Sequence, residues 1–213
     1  MPFNFDTLQD MVKQLKRRPG LEDLGALNSI NWARVAAQIA YYFSGYMQAI
    51  ADGGNFGDPV DFVVPTGNYG NVLAGYYARK MGLPIRNLVI ATNENDVLVD
   101  LVARGVYNIP ESTQKTTSPS MDINVSSNFE RLLYDLFDKD PERTAEYMSQ
   151  VKPGQTVKFA DHSLSPSSLL NIGFQSFRSD ATSRIETIRE VHATTGGFLI
   201  DPHTADAVSV ARR

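Results

Sequence analysis

Val60-Asp61-Phe62-Val63-Val64-Pro65-Thr66-Gly67-Asn68-Tyr69-Gly70-Asn71, running on into the amphipathic stretch Val72 to Met81, decides the fold. The apolar run Val60–Val64 predicts a strand, the glycine-rich residues a tight turn, and the run after them a helix. Strand, glycine turn and helix in this order aim backbone N–H groups and the positive end of a helix dipole at an anion. The helix is predicted to close at Met81-Gly82-Leu83-Pro84, a glycine C-cap followed by a proline stop. Asn87-Leu88-Val89-Ile90-Ala91 is then a second short apolar strand. Strand, helix and strand at this spacing predict a right-handed βαβ unit with parallel strands.

Working outward, Asn28 and Ser29 are placed to cap a long helix with apolar positions Trp32, Val35, Ala36, Ile39, Phe43, Met47 and Ile50. Asp52-Gly53-Gly54-Asn55-Phe56-Gly57-Asp58-Pro59 ends it in a turn-rich loop. Downstream, a shorter helix is expected from about Asp96 to Arg104, closed by Gly105. Residues 111–127 read as a Ser/Thr-rich loop. Ser127 and Glu130 then fit a capping box for a helix with Phe129, Leu132, Leu133, Leu136 and Phe137 on one face. Lys152 to Ser168 is rich in Pro, Gly and Ser and reads as an excursion. A last long helix, around Ser183 to Ala193, carries Ile185, Ile188 and Val191. The class is α/β.

Both ends read as cut. Asp6 and Gln9 fit a capping box for a helix with apolar Leu8, Met11, Val12 and Leu15, preceded only by a stub of extended chain. Asp201-Pro202-His203-Thr204 predicts another helix start. It is followed by Ala205–Val210 and barely two turns to Arg213, so little packing is expected there unless the chain continues.

Composition excludes several classes of function. The 213 residues are 42% hydrophobic and 21% charged, as in an ordinary globular protein. A net charge of −4 gives no overall attraction for nucleic acid or anionic membranes. With no cysteine there is no disulfide framework, thiolate nucleophile or thiolate metal site, which fits a cytoplasmic home. No apolar run approaches the roughly 20 residues of a membrane span. His162, His192 and His203 lack metal-ligand spacing, and no G-x-S-x-G elbow is present, so neither a metal site nor a serine hydrolase is expected.

The turn is not a Walker A loop, since no Gly-Lys-Ser/Thr follows the glycines. Nor is it the dinucleotide fingerprint, because two residues rather than one separate Gly67 from Gly70. What remains suits a single phosphate monoester. Gly67 and Gly70 would let backbone approach closely, while Asn68 and Asn71 tolerate unusual φ and offer amide donors. Spacing alone leaves a second reading open, a plain structural turn in which the glycines only relieve crowding. Asn93, Glu94, Asn95 and Asp96 follow the second strand at the end where α/β sheets place ligands, with Asn95 or Asp96 expected to cap the next helix.

The chain resembles the threonine synthases. The blocks that carry the resemblance run from Asn28-Ser29-Ile30-Asn31-Trp32-Ala33-Arg34 and Gln38-Ile39-Ala40-Tyr41-Tyr42-Phe43 through Pro65-Thr66-Gly67-Asn68-Tyr69-Gly70-Asn71. They continue with Ala91-Thr92-Asn93-Glu94-Asn95-Asp96, Ser118-Pro119-Ser120-Met121-Asp122-Ile123 and Asp201-Pro202-His203-Thr204-Ala205. They keep the family's order over nearly the whole chain and point to its longer, bacterial and fungal branch.

The resemblance implies a three-layer αβα, parallel-sheet portion of a fold-type-II pyridoxal-phosphate enzyme. That enzyme is a lyase converting O-phosphohomoserine and water into threonine and phosphate. It places the cofactor phosphate at Gly67, Asn68, Tyr69, Gly70 and Asn71. Arg34, Asn28 and Ser29 become candidates for the substrate, a guanidinium fork suiting its phosphate or carboxylate. On the residues alone, Arg34 reads equally as a surface salt-bridge partner.

Residues 1–25 would be the tail of a small subdomain, and 26–213 the large cofactor-binding domain, truncated at its C-terminus. The family's Schiff-base lysine lies well upstream of the turn. Here only Lys13 and Lys16 precede the turn, both on the N-terminal helix and outside the family's catalytic context. No catalytic residue is therefore assigned, the chain alone is expected to be inactive, and cofactor is expected absent or weakly bound. The alternatives are a non-catalytic α/β module binding a phosphorylated small molecule, and a related lyase or dehydratase of the same fold. The oligomeric state is not legible.

Overall fold

The computed structural model describes residues 11–12, 14–15, 18–20 and 31–213. Strands β1 (Val60–Pro65), β2 (Ile85–Thr92) and β5 (Phe174–Arg178) form a parallel sheet in the order β1-β2-β5. β3 (Val106–Asn108) and β4 (Thr156–Lys158) pair as a separate antiparallel ribbon. Helices α1 (Trp32–Ala51), α2 (Gly70–Lys80) and α3 (Val97–Arg104) lie on one side of the sheet. Helices α7 (Ala181–Thr194) and α8 (Pro202–Ala211) lie on the other. Between the ribbon strands come α4 (Phe129–Leu136) and α5 (Pro141–Gln150), and the short α6 (Ser168–Asn171) leads into β5.

Alternation along the strands builds the three layers. Val64, Leu88 and Ile90 enter the main core with Val72, Leu73 and Leu101. Val63, Val89 and Ala91 face the other way and meet Ala207 and Val210 of α8. Covered on both faces, β2 reads as a continuous apolar run, as a buried parallel strand should. β1 and β2 are in register from Phe62 opposite Leu88 to Pro65 opposite Ala91. The βα turn therefore leaves the C-terminal edge of the sheet.

Several expectations change. The N-cap of α1 is Asn31, whose Oδ1 accepts from Ala33 N–H at 3.0 Å; Asn28 and Ser29 lie outside the described residues, as does the Asp6–Gln9 capping box. The buried stripe of α1 is Val35, Tyr42 and Tyr46, whereas Trp32, Phe43 and Met47 are exposed. Tyr42 decides this rotation: its ring packs tilted on Phe62, and its hydroxyl, 2.9 Å from Asn71 O, donates into the glycine turn. α4 takes Asn128 as its N-cap, without a side-chain cap bond, one residue after the Ser127 expected there. In α7 the buried positions are Arg184, Thr187 and Val191, while Ile185 is exposed. β5 was not anticipated, and the 152–168 excursion contains β4.

Helix α8 is also better held than its length suggested. Ala205, Asp206, Ala207, Ser209 and Val210 are buried against the sheet and α7. Its cap is Asp201, whose Oδ1 accepts from His203 N–H at 2.9 Å and Thr204 N–H at 3.3 Å. The Thr204 hydroxyl, bonded to Oδ2 at 2.5 Å, and then His203 hold this carboxyl at about 2. Because the folded value lies below that of an unfolded aspartate, the cap stabilises fully above the usual carboxylate range and is lost as pH falls toward about 2. Asp201→Ala is expected to cost about 1 kcal/mol near neutral pH. Urea midpoints across the acid range should show a shallower acid limb for the variant than for the parent.

Candidate functional site

Three connections leave the C-terminal edge of the sheet: 66–69 after β1, 93–96 after β2, and Ser179-Asp180 after β5. The loop 114–128 lies across the first two, and its contacts fix their shape.

The glycine turn is built around a tyrosine. Tyr69, at the N-cap of α2, is left-handed at φ 69 and fully buried, its ring edge-on to Phe129 at 5.4 Å and tilted against Phe174. A bulky non-glycine residue at positive φ is a strained backbone that its surroundings must hold in place. The unusual φ was expected at the asparagines; it falls on Tyr69 because only there does the reversal send a side chain into the core. Asn68 instead closes the turn, its Oδ1 accepting from Gly70 N–H at 3.1 Å. The first regular bond of α2 is Leu73 N–H to Tyr69 C=O at 3.0 Å, so the Asn71 and Val72 amides ahead of it stand at an open helix N-terminus, while that of Gly70 is taken up by Asn68. Asn71 is exposed and is bonded through its backbone carbonyl and Oδ1 to the Tyr42 hydroxyl.

Backbone and polar contacts from the overlying loop clamp the turn. Ser126 Oγ donates to Gly67 C=O at 2.6 Å, and Asn128 donates to Asn68 C=O through its backbone N–H at 3.1 Å and Nδ2 at 3.0 Å. Gly67 is required by close approach: a Cβ there would stand 2.9 Å from Ser120 O and 3.1 Å from Met121 Cα. Its crowding comes from the chain's own loop, so Gly67 has a structural role here.

The second connection forms a buried amide network. Asn93 Nδ2 donates to Asp122 Oδ1 at 2.9 Å and to Thr116 Oγ1 at 2.9 Å. Asn95 Nδ2 reaches Asp122 Oδ1 at 3.1 Å, and Asn95 Oδ1 accepts from Gln114 N–H at 2.7 Å. Asn95 thus holds the loop rather than capping α3. Asp96 occupies the cap position without a side-chain cap bond and pairs instead with Arg178 at 3.3 Å.

Behind it stands a buried ion cluster that periodicity missed. Arg184, 1% exposed, donates through Nε to Asp206 Oδ1, through Nη2 to Glu94 Oε2, both at 2.8 Å, and through Nη1 to Thr117 Oγ1 at 2.7 Å. One guanidinium thereby joins both outer helices, the 94 connection and the overlying loop. Burial pushes the Asp206 carboxyl above its ordinary value, against the opposing pull of Ser118 and Arg184. His203 adds a further tie, its Nε2 accepting from Ser120 N–H at 3.1 Å while Nδ1 faces Asp201 at 2.9 Å.

Arg34 enters from a separate element, helix α1. It is exposed in the first turn of α1, at the end where Trp32 meets Tyr77 near the close of α2. The eight residues from Arg34 to Tyr42 correspond to roughly 12 Å of helix. No group of three or more metal-ligating side chains occurs among the described residues.

The donor set suits a phosphate monoester. Backbone N–H groups at a helix N-terminus, with amide side chains beside them and no lysine or arginine in the turn itself, bind an anion by dipoles. No family model matches the chain. It is 45% identical over 212 residues to the threonine synthase of Methylobacillus glycogenes, covering 97% of this chain and 44% of that protein. It is 43% identical over 215 residues to that of Corynebacterium glutamicum, covering 98% and 44%. The solved structure of PLP-bound threonine synthase from Brucella melitensis superposes with a TM-score of 0.82 at 40% identity, over 99% of this chain and 44% of the other. The yeast enzyme gives 0.82 at 38%, over 98% and 43%. By sequence and by fold, the chain is a homologue of the threonine synthases, fold-type-II pyridoxal-phosphate enzymes, and it spans less than half the length of the relatives it matches.

Proposed function

We propose that this chain is the cofactor-phosphate-binding portion of a threonine synthase, the lyase that turns O-phosphohomoserine and water into threonine and phosphate. The observation that carries the reading is the clamped turn at the β1–α2 junction, which has the geometry and neutral donor set of a phosphate-monoester cradle. In it Gly67, Asn68, Tyr69, Gly70 and Asn71 hold the phosphate of pyridoxal phosphate. Bound there, the cofactor supplies the electron sink that stabilises negative charge at the substrate's Cα and Cβ as phosphate departs from Cγ.

The chain's own residues position it. Tyr69 anchors the turn in the core, Ser126 and Asn128 engage the Gly67 and Asn68 carbonyls, and the α2 N-terminus would offer its amides to the phosphate. The resemblance alone supports Asn28, Ser29 and Arg34 as contacts for the substrate's phosphate or carboxylate; Arg34 is exposed in the first turn of α1.

The same proposal makes residues 1–25 the tail of a small subdomain and 26–213 the large domain. It places the protein in the cytoplasm; among the described residues no helix is long and apolar enough to cross a membrane. Only Lys13 and Lys16 precede the turn, which favours a chain that does not turn over substrate alone. That same feature keeps a second reading, a module that binds a phosphorylated small molecule without catalysis.

A chimera separates the two. This chain should replace the matching segment of the Corynebacterium glutamicum enzyme and still yield threonine from O-phosphohomoserine. A chimera that folds and binds pyridoxal phosphate yet forms no threonine contradicts the enzymatic reading.

A further inference from the structure

The opposite end of the sheet holds a group of cations, Arg79, Lys80 and Arg86. A cavity of about 590 Å³ lined by Trp32 and Arg131 opens elsewhere, but a different one, of about 450 Å³, is lined by Tyr76, Arg79, Lys80, Arg86, Asn171 and Gly173. It lies where α2 ends and where β2 and β5 begin, away from the glycine turn at the other edge.

The charges around it do not balance. Arg86 is held by Asp61, with Nε at 3.0 Å from Oδ1 and Nη2 at 2.5 Å from Oδ2. Asp61 is further engaged by the Asn87 backbone N–H at 3.0 Å and Nδ2 at 2.9 Å. Lys80 pairs with Asp135 at 2.8 Å. Arg79 has no carboxylate partner among the described residues; its Nη2 donates to the Ile172 carbonyl, which is neutral. Burial works against its charge and lowers its pKa.

The fold also makes room for this guanidinium. Gly173 is left-handed at φ 77, and a Cβ on it would collide with Arg79 Nη1 and stand 3.0 Å from Arg86 O. Any side chain at 173 would evict the head group. A half-buried guanidinium with unused donors, flanked by two more cations and a cavity, is the arrangement that takes a small oxyanion bidentately.

We infer that Arg79, with Lys80 and Arg86 beside it and Gly173 beneath it, forms a second oxyanion site that takes a phosphate dianion, free or carried on a small metabolite. The structural alternative is that Arg79 only caps the end of α6 through the Ile172 carbonyl. Binding at this site does not depend on the function proposed for the glycine turn.

The test is an amide and arginine-Nε NMR titration of the whole chain with inorganic phosphate, and separately with O-phosphoserine, against chloride at matched ionic strength. The expected result is movement of Arg79 Nε–H, Gly173 N–H and Asn171 N–H with phosphate and not with chloride. A stronger response to O-phosphoserine assigns a metabolite as the source, and an equal one assigns the free anion. Arg79→Gln should weaken binding at these signals by roughly tenfold or more, as loss of a charge-assisted fork implies. Arg79→Lys, which keeps the charge and guards against misfolding, should weaken it less. The amide signals of Gly67–Asn71 report the fold and any separate binding in the same sample. Unmoved Arg79 and Gly173 signals, or movement equal in chloride or unchanged at Gly173 in Arg79→Gln, would overturn the assignment.

Discussion

Arg184→Ala is expected to lower the unfolding free energy by about 3–5 kcal/mol, because removing one partner of a buried ion pair leaves the other charged and uncompensated. The side chain is 1% exposed, and its partner Asp206 is fully buried. Three separate pieces of chain lose a shared donor at once, Glu94, Thr117 and Asp206. The double variant Arg184→Met with Asp206→Leu should recover part of the loss, since the fully buried carboxylate is gone and only the partly exposed Glu94 is left without its cation. The sign of the pH dependence is fixed as well. Burial raises the folded pKa of Asp206, so its folded form holds a proton that the unfolded chain gives up, and stability falls as pH rises through that window. Without Arg184 the raise is larger. The deficit of Arg184→Ala should therefore be small in acid and grow toward neutral pH, read from urea midpoints at a series of pH values.

Tyr69→Ala is expected to cost a similar amount, about 3–5 kcal/mol, the range for deleting a fully buried aromatic ring. Its ring touches Phe129 and Phe174, tying the turn to α4 and β5 at once. Alanine would also inherit the left-handed backbone with no ring to hold it there. The turn should loosen, and phosphate binding with it. Tyr69→Phe keeps the ring and removes a hydroxyl for which the structure shows no partner, so stability within about 1 kcal/mol of the parent is expected. Thermal unfolding of both variants, beside amide exchange at Gly70 and Asn71, distinguishes ring from hydroxyl.

The sequence carried the architecture of the βαβ unit because its signals are local. Val60–Val64, the glycines and the Gly82-Leu83-Pro84 stop each act within a few residues, and β2 reads as apolar because both its faces are covered. Where distant partners decide, the reading shifted. In α7, Ile185 looked like the inward position, yet Arg184 is inside, since two carboxylates from other elements wait for it. In α1, Tyr42 and Tyr46 displaced Phe43 and Met47 from the buried face because their hydroxyls meet backbone at Asn71 and Gly57. Asn95 read as a helix cap, a role open to any such residue, and is instead bonded to Gln114 and Asp122 in a loop 19 or more residues away. β5 was invisible because Phe174–Arg178 is short and half-exposed, and among the described residues its strand partner is the parallel β2. Of the site itself, the turn was legible, whereas its clamp from Ser126 and Asn128 was not: a Ser/Thr-rich loop has no period that reveals what it covers.

Whether Gly67–Asn71 holds the cofactor's phosphate is most directly measured by titrating the isotopically labelled chain with pyridoxamine 5'-phosphate and, in parallel, with pyridoxamine. Neither carries an aldehyde, so lysine chemistry does not intrude, and fast-exchange shifts detect even weak binding. The expected result is movement of the Gly67, Tyr69, Gly70 and Asn71 amides with the phosphorylated compound and none of comparable size with pyridoxamine. Amides of the turn that stay put as the phosphorylated ligand is added, or that respond equally to both compounds, would contradict the cradle.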